Sequence, residues 1–252
     1  MKQFVRSHWK TILSFVVVGL VGGYFTGLYA LDSYPPELQQ QLLEQGIDAA
    51  TLGLVSAVQS AGYGLVLGSI GIFLSKKLGL WKSSFRLEKK PLIAAIVISV
   101  IGGLSLILPD LFFFGKFEPV LLQAYESKPT LSYLAATVTY GAVIEEVMLR
   151  LFFMSLIAFV LHLIFDRRKE RPSVAVLVAA NVISALLFAA GHLPMTFMSI
   201  GDSAVIILRC FLLNGAFGLL FGWLYRKYGL AYAMIAHGGC HIVSKLIWIL
   251  FL

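Results

Sequence analysis

The sequence is poor in charge. Of its 252 residues only 13% are Asp, Glu, Lys or Arg, about half the share of an ordinary soluble domain. A soluble core of this length needs a polar coat, and a disordered chain needs more charge still, so both classes are excluded. Cysteine is scarce as well. Cys210 and Cys240 both fall inside apolar stretches, which excludes a disulfide framework and says nothing of the redox compartment. Period-two alternation is missing over any useful length, which argues against a β-barrel. There is no repeat of fixed period, no low-complexity tract, and no basic stripe on a soluble segment of the kind a nucleic-acid partner would need. What abounds is apolar surface: 59% of residues are hydrophobic, and the mean hydropathy is +0.87.

That surface comes in runs long enough to cross a bilayer, for which a helix needs about 20 residues. Candidate segments lie at 11–31, 51–75, 91–114, 131–165, 173–192, 204–225 and 229–251. The fourth is overlong. It reads as one tilted helix or as two pieces meeting near Gly141, so seven or eight crossings are expected. The fold class is an all-α polytopic bundle, one membrane domain overall. Residues 1–130 form N-terminal helices and loops, and residues 131–252 form the core that carries the chemistry. Gly22, Gly23 and Gly27 suit helix packing, so the first run reads as an uncleaved signal anchor. The Gly-rich runs at 62–71 and 215–222 read the same way, as close-packing surfaces.

The few charges describe a topology. Lys2, Arg6 and Lys10 precede the first run, and the loop after it carries only Asp32, Glu37, Glu44 and Asp48. The next loop is basic, and so are 166–171 and the pair Arg226 and Lys227. Alternate basic loops place the N-terminus in the cytoplasm. The partner this implies is a lipid bilayer, and attraction to anionic lipid accounts for the net charge of +7. In a prokaryote the location would be the plasma membrane.

Eleven of the 13 acids sit in loops or at segment ends. Glu145 and Glu146 do not, and Arg150 follows four residues after Glu146. Burying a carboxylate in hydrocarbon costs several kcal/mol, so these side chains should face the bundle or a wet cavity. At helical spacing Glu146 and Arg150 share a face, and Glu145 points about 100° away. One division pairs Glu146 with Arg150 and frees Glu145; the other reverses the two. A purely structural ion-pair lock is the bland alternative, though two acids and one base make a poor one.

Histidine adds to the set. His192 ends Phe188-Ala-Ala-Gly-His192 at the close of the fifth segment. His237 and His241 lie one turn apart in the seventh, with Gly238 and Gly239 weakening the turn between them. Each alone is more simply a packing residue. Two Glu and three His together suit either a metal or a general base with polarising partners. Three other residues read more blandly. Arg209 snorkels outward, Lys245 reaches the outer interface near the chain end or else touches the site, and Asn214 makes an interhelical hydrogen bond or lines the site.

Glu145-Glu146-Val-Met-Leu-Arg150, then Phe188-Ala-Ala-Gly-His192, then a helix led by His237 is the motif order of the CAAX protease and bacteriocin-processing family, also called Abi. Roughly residues 130–250 resemble it. The third motif departs from the pattern, because His241 stands where Asn or Asp is usual. The resemblance implies an intramembrane endopeptidase acting on a membrane-associated peptide or protein. It implies that Glu145, oriented by Glu146 and Arg150, activates water with His192, while His237 and the residue at 241 stabilise the oxyanion. With His at 241, the residues Glu145, His192, His237 and His241 would also make a zinc set. The competing readings are a proton-coupled transporter, and a non-catalytic immunity or scaffold member of the same family.

Overall fold

The computed structural model describes residues 2–82 and 86–252, with side chains from residue 6 onward, so the Lys2 side chain lies outside the described residues. It is 84% helical, without strands among the described residues. Among the described residues, seven helices are long and apolar enough to cross a membrane: Arg6–Ser33, Ala49–Lys77, Lys89–Lys116, Leu131–Phe165, Val174–Ile200, Ala204–Tyr228 and Leu230–Phe251. They are called spans 1 to 7. The chain is an integral multi-pass membrane protein.

The polarity of the bundle is inverted relative to a soluble protein. Large apolar side chains such as Val58, Leu65, Ile96, Leu186 and Leu246 stand exposed on the outside. Asp110, Glu146, Arg150, His237 and Lys245 are buried within. Lipid solvates the first set at no cost, whereas the second must find partners inside.

Packing is organised around span 4. Span 1 runs along span 2 and crosses the first half of span 4, while span 7 lies between spans 3 and 4. Small residues make the approach close. A Cβ added at Gly23 would run into the Ser56 carbonyl oxygen of span 2. The Gly-rich run 62–71 behaves this way only in part, since Gly64, Gly68 and Gly71 meet neighbours but Gly62 faces open space. The central core gathers Ile72, Val147, Leu151, Met154, Phe221 and Ala236 from four spans.

Span 4 is unbroken, so the count is seven rather than eight, and its length has a local cause. Leu131–Ala136 is α-helical, but Thr137–Glu145 and Val147–Met154 are π-wound, with only Glu146 between them in α geometry. An i→i+5 winding packs more residues into each turn. A straight α-helix of these 35 residues would measure about 52 Å, and the wider winding shortens it. Side-chain hydroxyls bracket the wide stretch. Thr137 and Thr139 donate to the carbonyls of Leu134 and Ala135 at its start, and Ser155 donates to the Arg150 carbonyl at its end. Such hydroxyls offer carbonyls an alternative to the regular ladder.

Span 5 differs from its expected limits. It continues through Pro194 to Ile200, so His192 lies inside the helix and does not close it. Pro194 removes one amide donor, but the flanking turns hold, and the site gains a histidine at a depth the shorter segment denied it. The loops are tied at both ends. Asp48 caps span 2 by accepting from the Thr51 amide. Asp166 accepts from the Ser173 amide and from Lys169, closing the turn between spans 4 and 5.

Candidate active site

The site begins with one carboxylate and one guanidinium. Arg150 Nη1 lies 3.0 Å from Glu146 Oε1, and the two side chains are 1% and 0% exposed. Arg150 Nη2 donates to the Gly218 carbonyl of span 6 at 3.2 Å. Its guanidinium sits over the ring of Phe188 from span 5, 4.5 Å from the centroid, and 5.4 Å from that of Phe221 in span 6. A buried cation is thus held by an acid, a carbonyl and two ring faces, the combination that makes burial tolerable.

Glu146 also reaches span 7. Its Oε1 accepts from His237 Nδ1 at 2.9 Å. Phe221 stacks on the His237 ring, with centroids 4.7 Å apart and an interplanar angle of 20°. The imidazole is therefore fixed in both plane and tautomer. With Nδ1 committed to the carboxylate, Nε2 is the working nitrogen, and it faces Glu145 Oε2 at 3.9 Å.

Glu145 is the contrasting acid. Its side chain is 19% exposed, against none for Glu146. It opens on a cavity of about 540 Å³ whose wall includes His192, His237, His241, Asn214 and Tyr140. Of the two divisions of labour open at the sequence level, the structure has Glu146 pair with Arg150 and leaves Glu145 on the cavity.

The histidines converge from two helices. His192 Nδ1 bonds the Phe188 carbonyl at 2.8 Å, which leaves Nε2 for the cavity. His241 lies one turn beyond His237, with ring centroids 5.0 Å apart, and its buried Nδ1 has no hydrogen-bond partner among the described residues. The Gly-Gly pair between them does not break span 7. It lets the helix approach, because a Cβ at Gly239 would strike the Ser99 side chain of span 3 and one at Gly238 would crowd the Ala142 methyl of span 4 at 3.1 Å. The residues Glu145, His192, His237 and His241 thus share one cavity. Among the described residues, however, no group of three or more His, Cys, Asp or Glu side chains is arranged to hold a metal ion. His237 and His192 each have one ring nitrogen already bonded within the protein.

Several residues fall elsewhere than the sequence suggests. Arg209 turns inward and grips Asp110 with two bonds of 2.5 Å, and Asp110 also accepts from Tyr125 at 3.1 Å. Asp110 is therefore a further buried acid, toward the Lys116 end of span 3, where its position near a segment end disguised it. Asn214 donates to the Cys210 carbonyl of its own helix at 3.0 Å and lines the cavity, making no interhelical bond among the described residues. Lys245 points into the protein and donates to the Tyr133 hydroxyl at 3.2 Å. Cys210 and Cys240 are buried and free.

Seven apolar helices, with Glu145 and three histidines on the wall of an internal cavity, define the chain as a polytopic membrane protein with ionisable side chains inside the bundle. Residues 127–243 match the family model described as "Type II CAAX prenyl endopeptidase Rce1-like", so that stretch is similar to this CAAX protease family. The match embraces every residue of the site described above. No curated protein and no solved structure matches the chain. At the level of the family, the activity is that of a membrane-embedded CAAX-type endopeptidase.

Proposed function

We propose that the protein hydrolyses a peptide bond of a membrane-associated peptide or protein, with Glu145 as general base. The carrying observation is the unequal surroundings of the paired acids. Glu146 is consumed by Arg150 and His237, whereas Glu145 has an open cavity before it and an oriented imidazole beside it.

In this reading Glu145 takes a proton from a water held between its carboxylate and His192 Nε2. The resulting hydroxide attacks the scissile carbonyl carbon, and negative charge develops on the carbonyl oxygen. His237, with Glu146 behind it, is able to carry a positive charge, as a carboxylate-backed imidazole does. It receives on Nε2 the proton that Glu145 took from water, steadies the oxyanion with that N–H, and then gives the proton to the departing amine nitrogen, so that both residues return to their starting state. His241 adds a second ring beside that path, in place of the neutral amide donor usual in the third motif. No step passes through a metal. The supported orientation has the N-terminus in the cytoplasm, as the alternating basic loops argue.

Cleavage of a membrane-anchored peptide by purified protein tests this reading. Glu145→Gln should lower kcat by about 10² to 10⁴ with the fold retained, and unchanged cleavage would overturn the assignment. Elemental analysis and chelation test the role of metal. The expected result is activity that survives chelation, and zinc at one per chain together with loss on chelation would replace the glutamate-only scheme.

A further inference from the structure

A second cavity of about 510 Å³ adjoins the first, and Tyr133 and His241 line both. Its charged groups are nearly all spoken for. Asp110 is held by Arg209. Lys128 donates to the carbonyl oxygens of Trp248 and Ile249 near the end of span 7, at 3.5 and 3.0 Å. Asp32 stands exposed at the rim. Lys245 is the exception. It is 8% exposed, and among the described residues its amine meets only Tyr133, at the hydroxyl and at the ring face 4.4 Å from the centroid.

An ammonium offers three donors and a full charge. A phenol oxygen and a π face use one donor and balance no charge. Buried ions of this kind are costly unless an anion joins them. We infer that Lys245 is a carboxylate-binding subsite and that its ligand is the C-terminal carboxylate of the peptide that occupies the first cavity. The inference rests on the protease reading for the kind of ligand, and on Lys245 itself for the anion. The geometry suits a continuous ligand. Lys245 lies eight residues along span 7 from His237, about 12 Å of helix, a distance that a few extended residues cover. Tyr133 and His241 form the shared wall along the way.

The test separates binding from cleavage. A membrane-anchored peptide is prepared as its free acid, as its C-terminal amide, and as an amide carrying an Asp near the end. Binding is measured on Glu145→Gln protein, and cleavage on the wild type. The free acid should bind about 10- to 100-fold tighter than either amide, the range expected for a charge-assisted hydrogen bond. Adding Lys245→Met should bring the three peptides to equal affinity, while Lys245→Arg should keep the preference. Equal binding of acid and amide in the Lys245 protein overturns the subsite, as does a preference that survives Lys245→Met. Tight binding of the Asp-bearing amide overturns the assignment to the chain terminus. A free-acid preference with no cleavage of any peptide would leave the subsite standing and sink the protease reading instead.

Discussion

At the scale of the residue, the two neighbouring glutamates show how position sets chemistry. Glu146 should behave as structure. Replacing it with Gln leaves the Arg150 guanidinium buried without its counter-ion, and the expected loss is about 3–5 kcal/mol of stability, read from denaturant unfolding in detergent. Glu145→Gln should change the same midpoint by less than about 1 kcal/mol, since its side chain keeps access to the cavity and anchors no cation. Phe221 acts between these extremes. Phe221→Leu removes the plate that holds the His237 ring, so a drop in kcat with little change in KM is expected in single-turnover kinetics. Much of this was legible beforehand, because a carboxylate pair in an apolar run has few explanations. The partition between the acids was not, since it depends on a histidine 91 residues away. Asp110 and Arg209 were missed for the same reason, being 99 residues apart and each explicable alone. Lys245 was misread because closeness to the chain end resembles closeness to water.

At the scale of the element, the informative departures are windings and close approaches. The seven spans could be read from hydropathy alone, but the π winding of span 4 could not, because it leaves no periodic mark in so apolar a run. Span 5 was cut short at His192, since a Gly and a Pro nearby resemble an ending while the bundle carries the helix on. The Gly238-Gly239 pair resembled a weak turn and proves to be a contact surface. Gly239→Ala should push span 7 from span 3, at a cost of about 1–3 kcal/mol, and Ser99→Gly should recover part of that loss in a double-mutant cycle. The turn between spans 4 and 5 makes a prediction about pH. Hydrogen bonds from Lys169 and Ser173 hold the Asp166 carboxyl well below the usual carboxylate range. A depressed folded value means that the turn's stabilisation is complete above the unfolded value of about 4. It declines as pH falls below that and is lost only through the lower folded value. The Ser173 amide should therefore stay protected from hydrogen exchange at pH 5, and Asp166→Asn should abolish the acid dependence.

At the scale of the whole molecule, composition and hydropathy identified a polytopic helical bundle, and the structure agrees. Orientation is a separate matter. Fusions of a cytoplasm-active reporter to the basic loops at 76–90 and 166–171 should be active, and fusions to the acidic loop at 34–48 silent. The reverse pattern would invert the bundle and move the candidate site's access with it. The site itself draws on spans that are far apart in the chain. Arg150 belongs to span 4, rests on Phe188 of span 5, bonds Gly218 and meets Phe221 of span 6, and through Glu146 touches His237 of span 7. One guanidinium thereby ties four spans together. While the chain is being threaded into the bilayer, spans 4 and 5 arrive with a cation only partly accommodated, and the deficit closes when spans 6 and 7 dock. A chain stalled before span 6 therefore holds the Arg150–Glu146 pair without the Gly218 carbonyl, the Phe221 ring or His237, a polar pair at membrane depth with part of its coordination missing.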